Sequence, residues 1–316
     1  MYQLLNPPSG FLQNCNNPPW LSTVNSGLNP ADPAPYYLIS VAKPEVSQED
    51  LNARGERLLK ILGQTKKFTL DEMKDLAYET YVVPADVVVP LLVQAHENEK
   101  KEFTDPRVDH AVSLIKAWDR RSAGDSIAQT YVYFWAQAYR DLFSPTKLAR
   151  FLAHSRYDIK IDSPEEQKMA LDALKEAISR IDSHFGKTDV AWGNINVLER
   201  GGTFPMDGTG IFDVLHVDEG PEQFDGTIHC NDGWGHLLVV EESRPRRVWS
   251  LLPYGESEDP ASPHYNDMAR LHSQRRMKPF WFTPEEILRH TESVWGNSAR
   301  LDNLLRAPSA DPKVIW

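Results

Sequence analysis

The feature that most constrains this chain is a change of period near Gly186. Upstream, apolar residues recur at helical spacing; downstream, glycine-containing turns separate short runs of strand-forming residues. Ser47-Gln48-Glu49-Asp50 offers a cap ahead of Leu51, Leu58, Leu59 and Leu62, with Gly63 as a stop. Thr69-Leu70-Asp71-Glu72 is a second cap, leading into Met73, Leu76, Ala77 and Tyr81. Further helices are predicted from Val108 to Trp118, from Ile127 to Phe143, and from Ser163-Pro164-Glu165-Glu166 to about His184. The run from Tyr81 to Gln94 is apolar but interrupted by Pro84, Asp86 and Pro90, and reads as a buried segment of a soluble fold. The aromatic series Tyr131, Tyr133, Phe134, Trp135 and Tyr139 covers too many directions for one face, which reads as a buried core helix.

Past Gly186 the turn signals are Gly201-Gly202, Asp207-Gly208, Gly220 and Asp225-Gly226. Residues 236–242 and 247–252 read as neighbouring strands about a turn at Arg244-Pro245. Thr283-Pro284-Glu285-Glu286 opens a last helix, expected to end near Val294. Helices followed by strands argue for an α+β fold rather than an alternating α/β one. Three regions follow: an irregular one over 1–46, a mainly helical one over 47–185, and a strand-rich one over 186–316 with a C-terminal helix. In the first, Pro7, Pro8, Pro18, Pro19, Pro30, Pro33 and Pro35 exclude a long helix.

Charge removes one class of function. A formal net charge of −11 argues against nucleic acid as a partner, because phosphate binding needs a basic surface. No run approaches the roughly 18–20 apolar residues of a membrane span, and Met1 to Gly10 carries neither the basic start nor the apolar stretch of a signal peptide. Cys15 and Cys230 are the only cysteines. They lack metal-ligand spacing and read as two buried free thiols.

Three stretches carry a family resemblance. The first is Asn6-Pro7-Pro8-Ser9-Gly10-Phe11, followed by Asn14-Cys15-Asn16-Asn17-Pro18-Pro19-Trp20. The second runs from Trp192-Gly193-Asn194 through Arg200-Gly201-Gly202 to Phe204-Pro205-Met206. The third is Tyr254-Gly255-Glu256-Ser257-Glu258-Asp259-Pro260-Ala261-Ser262-Pro263-His264-Tyr265, continuing through Pro279-Phe280-Trp281-Phe282-Thr283. In this order, they resemble the penicillin acylase family, which includes penicillin, aculeacin-type and acyl-homoserine-lactone acylases. The wording of the third stretch resembles the aculeacin and lactone types most. The resemblance implies the C-terminal part of a β subunit in an N-terminal-nucleophile (Ntn) hydrolase. The fold expected is part of a four-layer αββα sandwich with a largely helical excursion.

The family's chemistry follows from its architecture. Self-cleavage exposes a Ser whose hydroxyl attacks the amide and whose own α-amine serves as base, titrating at about pH 7.7–8.0. An Asn side-chain amide helps to form the oxyanion hole. By resemblance that Asn is Asn16, with Asn17 as second choice; a turn residue bonding its own backbone is the structural alternative. The family also places an arginine downstream that orients this Asn. Arg54 is preferred for that role and Arg57 is the other candidate.

The Gly-Ser dipeptide of self-cleavage does not occur in this sequence. The expectation is that this chain lacks the nucleophile and that the family's supporting His lies upstream of Met1. Thr203, after Gly202, falls where family members do not cleave. The resemblance implies hydrolysis of an acylated small-molecule amide or lactone, no cofactor, and a complementary acylase chain bearing the α subunit and the β N-terminus. The family is mostly periplasmic or secreted. A non-catalytic remnant, or a module binding acyl ligands or a partner, is the alternative reading.

Two other constellations carry less. His264, Asp267 and His272 with Glu256, Glu258 and Asp259 match no metal-ligand spacing, and no metal is expected there. Asp32 lies near the region of the family's structural calcium, but its local spacing does not match. His229-Cys230 lacks the third group that orients a catalytic pair.

Overall fold

The computed structural model describes residues 3–28, 51–64, 67–101, 104–143 and 161–291. Pro30, Asp32, Pro33, Pro35, Ser47 to Asp50 and the chain beyond Thr291 lie outside them. The α+β expectation holds: the described residues form eight α-helices and eight short strands, helices first and strands mostly after residue 195. Among the described residues, no helix is long and apolar enough to cross a membrane.

The first described helix, α1, spans Ala53–Leu62 and is capped by Asn52. Asn52 Oδ1 accepts from the Gly55 N–H at 2.8 Å, satisfying one of the orphan donors of the first turn. Helix α2, Leu70–Leu76, has the predicted capping box between Thr69 and Glu72 but stops short of Tyr81. Val83 precedes a proline, which disfavours helical backbone; Tyr81 instead bridges to Arg121, and the Val82 N–H donates to Arg120 O at 2.7 Å.

The prolines of the next segment do not prevent a helix. Helix α3 spans Ala85–Glu99 with Pro90 inside it. Pro84 precedes the first turn, where a missing N–H costs nothing. Pro90 is exposed, so water can reach the carbonyl it leaves unpaired, while Val88, Val89, Leu92 and Ala95 are buried on the opposite side.

Helices α4, Pro106–Ala117, α5, Ile127–Phe143, and α6, Pro164–Phe185, complete the helical block. All five aromatics of the α5 series are buried, as a core helix requires. Trp135 Nε1 donates to Ala170 O at 3.0 Å and ties α5 to α6. Gly186, in left-handed backbone, ends α6. The core formed by α3 to α6 also takes in Trp192, Ile195, Phe212, Val214 and Ile228, so it crosses the change of period at residue 186.

Three small sheets follow. β1, Asn196–Glu199, pairs antiparallel with β2, Thr203–Pro205, and parallel with β4, Ile228–His229. β3, Asp218–Glu219, pairs with β5, Asp232–Gly233. β6, Leu237–Glu241, and β7, Arg247–Leu251, are the two strands predicted around Arg244-Pro245, with Val239 opposite Trp249; β8, Lys278–Pro279, lies beyond β7. Among the described residues that order puts β6 at the edge, with Leu238 and Val240 exposed.

Helix α7 spans Asp267–Ser273 and α8 spans Pro284–Arg289. The last helix ends before Val294 because His290 leaves helical backbone and stacks on Trp281, ring centroids 3.7 Å apart.

The second and third resemblance stretches meet at Arg200. Its Nε donates to Tyr265 O at 2.8 Å and its Nη2 to Ser257 O at 3.0 Å, while the guanidinium lies 4.2 Å from the Tyr265 ring centroid. This clasp holds the β1–β2 turn against the loop before α7. Gly255 makes the loop possible: its φ is +139°, and a Cβ would stand 2.5 Å from His264 O. Gly255→Ala is therefore expected to lower stability by about 1–3 kcal/mol, read as a lower urea midpoint at unchanged slope.

Candidate active site

The first described segment is a loop stapled to itself. Gly10 N donates to Pro7 O at 2.9 Å, Gln13 N to Ser22 O at 2.8 Å, and Gln13 Nε2 to Leu21 O at 2.7 Å. Pro18 and Pro19 lead into a single turn of 3-10 helix, Pro19–Leu21, which buries Trp20. These ties fix both ends of the asparagine run between them.

Within the run each asparagine has a different task. Asn14 Oδ1 accepts from the Asn16 N–H at 2.8 Å. Asn17 Oδ1 accepts from the Cys15 N–H at 3.0 Å, and Asn17 Nδ2 donates to Pro18 O at 3.1 Å. The turn-forming role therefore falls to Asn14 and Asn17, and both ends of the Asn17 amide are committed locally. Asn16 adopts a φ of +61°, a backbone region that asparagine tolerates better than other side-chain-bearing residues. It is exposed, and its Oδ1 accepts from Arg54 Nη1 at 3.1 Å.

Arg54 reaches Asn16 because α1 begins against the loop. Asn52, the cap of α1, also donates from Nδ2 to Cys15 O at 2.5 Å. Gly55 permits the approach, since a Cβ there would stand 3.3 Å from Asn17 Oδ1 and 3.1 Å from Asn52 Oδ1. Arg54 Nε donates to Asp213 Oδ1 at 2.6 Å. Arg57, three residues along α1, turns elsewhere: it pairs with Glu79 at 3.2 Å and covers the Tyr81 ring.

The guanidinium fixes the Asn16 amide. A cation that can only donate occupies Oδ1, so Nδ2 points away from Arg54, and among the described residues no hydrogen bond engages it. An outward amide donor, polarised by a charge at its oxygen end, suits an accumulating negative charge.

The thiols and the hydroxyl nearest to a nucleophile's part, Cys15, Cys230 and Thr203, are each buried or engaged by other groups. Burial pushes the Cys15 thiol up to about 11, with Arg54 opposing and Asp213 adding, so it stays protonated at neutral pH. Burial likewise raises the Cys230 thiol, whose Sγ donates to Asn196 Oδ1 at 3.1 Å; no hydrogen bond joins it to His229 among the described residues. Both cysteines are free and buried, as expected. Thr203 is exposed in β2, and its hydroxyl donates to Glu199 Oε1 at 2.5 Å.

Two of the cavities among the described residues bear on this arrangement. One, of about 290 Å³, is lined by Arg54, Asp213, Glu219, Asp232 and Trp234. Burial raises the carboxyls of both Asp213 and Glu219; Arg54 opposes the shift at Asp213, while Asp232 adds to it at Glu219. The other is an apolar groove of about 530 Å³ beginning at Leu12, Gln13 and Asn14 and running between Leu58, Met73 and Val240.

The residues weighed as a metal constellation are not one group. His264 pairs with Asp267 at 2.9 Å, and Glu256 with Lys278 at 2.9 Å. His272 instead meets Asp218, with His216 on its other side: both Nε2 atoms lie within 2.8–3.0 Å of the carboxylate, and all three residues are buried. The spacing would admit a metal ion, but the proton positions oppose one. Trp234 Nε1, which can only donate, bonds His216 Nδ1 at 2.8 Å, so the His216 proton sits on Nε2 facing Asp218. That nitrogen has no lone pair to give a cation. The arrangement is a hydrogen-bonded clamp joining β3, α7 and the segment after β5.

Sequence reasoning missed this clamp, Asn52 and Asp213. Asn52 had a legible signal, a cap-type residue directly ahead of the α1 pattern. Asp218 and Asp213 had none, because His272 and Arg54 lie 54 and 159 residues away from them.

Comparison with known proteins places the chain. The penicillin amidase family model matches residues 1–289, and the chain belongs to that family. It is 25% identical over 292 residues to the acyl-homoserine lactone acylase PvdQ of Pseudomonas fluorescens Pf-5, covering 88% of this chain and 35% of that protein. The enzyme of the same name from Pseudomonas fluorescens Pf0-1 is 26% identical over 295 residues, covering 88% of this chain and 35% of its own length. The chain thus spans about a third of these curated relatives. Among solved structures, a thermostable penicillin G acylase from Alcaligenes faecalis aligns with 92% of this chain and 57% of its own. That alignment has 17% identity and a TM-score of 0.48.

The clamp yields a prediction with a sign. Burial opposes ionisation of Asp218, yet His216 and then His272 hold its carboxyl below the ordinary range. A depressed carboxyl contributes stability that is present above its unfolded value of about 3.9 and is lost as pH falls through the lower folded one. Urea midpoints measured down the acid limb should fall more steeply for the native chain than for Asp218→Asn, which lacks this titration. Equal slopes would show that the pairing is not stabilising.

Proposed function

We propose that this chain is the part of a penicillin-acylase-type amidohydrolase that supplies the oxyanion donor and a wall of the acyl site, with Asn16 as donor and Arg54 as the residue that orients it. The observation that carries the proposal is the Arg54 to Asn16 contact, which leaves Nδ2 outward on a loop stapled at both ends. The nucleophilic Ser, its α-amine base and the supporting His come from residues outside this sequence, on a complementary segment bearing the α subunit and the β N-terminus.

The reaction is hydrolysis of a linear amide in an acylated small molecule, such as an acylated lactone. Water replaces the amine on the acyl carbon after a covalent acyl-Ser intermediate, and Asn16 Nδ2 donates to the oxygen of each tetrahedral intermediate. The groove beside Asn14 suits the acyl part, because its lining from Leu12, Leu58, Leu62 and Met73 rewards apolar burial. No cofactor or metal takes part. The compartment proposed is that of the family, periplasmic or secreted.

One observation favours the non-catalytic reading. Among the described residues β6 pairs on one side only, with Leu238 and Val240 exposed, which suits association with another chain whether or not chemistry follows. Hydrolysis of a long-chain acyl anilide by the chain co-expressed with the upstream segment separates the two readings. The acylase reading expects activity only in the co-expressed form, falling by about 10²–10³-fold in kcat with Asn16→Ala. Silence from both forms, with the two chains co-purifying, leaves the binding module. Activity from this chain alone would sink the assignment of the nucleophile to a partner.

A further inference from the structure

We infer that Asp213 is a positioning residue for the oxyanion donor: it anchors Arg54 so that the guanidinium holds Asn16 with its Nδ2 outward. The inference rests on the acylase reading above and extends it by one residue that no sequence motif marks.

Arg54 alone has no reason to point at Asn16. Its side chain is 28% exposed on the first turn of α1, and a long cationic side chain so placed extends into water unless something holds it. Asp213 takes Nε at 2.6 Å. The guanidinium is planar with its N–H directions fixed, so anchoring Nε sets where Nη1 points. It points at Asn16 Oδ1.

Asp213 is itself held more firmly than an ordinary loop residue. Phe212 and Val214, on either side of it, are each 1% exposed and belong to the core of the helical block. Asp213 adopts a φ of +49°, and its N–H donates to Gly210 O at 2.9 Å. The backbone N–H groups of Ala53 and Arg54 also favour its charged form. One carboxylate therefore holds both the start of α1 and the arginine that α1 presents, across 159 residues of sequence.

The energetics fit positioning better than stabilisation. Burial keeps the Asp213 carboxyl above its ordinary value although Arg54 pulls it down. The pair does not fully offset the cost of desolvating the acid, so a purely structural demand would be met as well by a neutral group. What a neutral group lacks is the charge that fixes the guanidinium.

The test uses the Asn16 side-chain amide as a reporter. In a 15N-labelled sample of the chain its NH2 pair is assigned by its loss in Asn16→Ser. Asp213→Asn is expected to shift that pair toward the position of a solvated amide while the melting temperature moves by no more than a few degrees. In the co-expressed form it should lower kcat by about tenfold or more at unchanged KM, and Asp213→Glu should restore most of both signals. An Asn16 pair that ignores Asp213→Asn but moves in Arg54→Ala would overturn the inference, as would a rise in KM with kcat intact.

If Asp213→Asn does not fold, Arg54→Lys asks the same question. Lysine keeps an ion pair with Asp213 but cannot bridge to Asn16, so the Asn16 pair must move at unchanged melting temperature; an unmoved pair again overturns the inference. Absence of hydrolysis in every co-expressed form removes the acylase reading, while the amide signal still decides the role of Asp213.

Discussion

A single guanidinium joins the N-terminal loop of this chain to its packed core. Arg54 bridges Asn16 on the N-terminal loop and Asp213 on the segment between the helical block and β3. Remove it, and nothing else described holds the outward amide at Asn16 in register with the core. The bridge in turn depends on Asn52, which caps α1 and grips the loop carbonyl of Cys15, and on Gly55, which leaves room for the Asn17 and Asn52 side chains. A loop residue in left-handed backbone is thereby referred to a packed core through two side chains, which is how a rigid scaffold disciplines a surface loop.

The helical block is the anchor for that reference. Its core continues into Phe212 and Val214, so Asp213 inherits the rigidity of α3 to α6 although it belongs to the strand-rich part of the sequence. The clamp of His216, Asp218 and His272 does similar work nearby, tying β3 and α7 across a buried carboxylate. Arg200 ties the β1–β2 turn to the loop before α7. Each device joins separate stretches of the sequence through a charged group that is itself hydrogen-bonded, which offsets part of the cost of burying it.

What could be read from the sequence was what local chemistry determines. Capping boxes at Thr69 and Ser163, the aromatic α5 and the β6–β7 pair are all written in neighbouring residues. Asn16 and Arg54 stood out because a motif carries one and its usual companion suggests the other. Where local signals misled, a tertiary fact had the last word. Pro90 did not stop α3 because it faces solvent, and Tyr81 left α2 because Pro84 follows shortly and Arg121 offers a bridge. Asp213 and Asp218 were illegible for a simpler reason: an aspartate in a turn-rich stretch carries no mark of the arginine or histidine that will meet it.

The central claim is that Asn16 Nδ2 faces the oxygen on which negative charge accumulates. The most direct measurement is a crystal structure of the chain with its complementary segment, trapped with an alkylboronic acid, whose tetrahedral adduct on the nucleophilic hydroxyl mimics the intermediate. The account predicts one boronate oxygen at about 2.7–3.1 Å from Asn16 Nδ2, with Arg54 still on Oδ1. A boronate whose oxygens are held by other groups, with the Asn16 amide turned away, would contradict it.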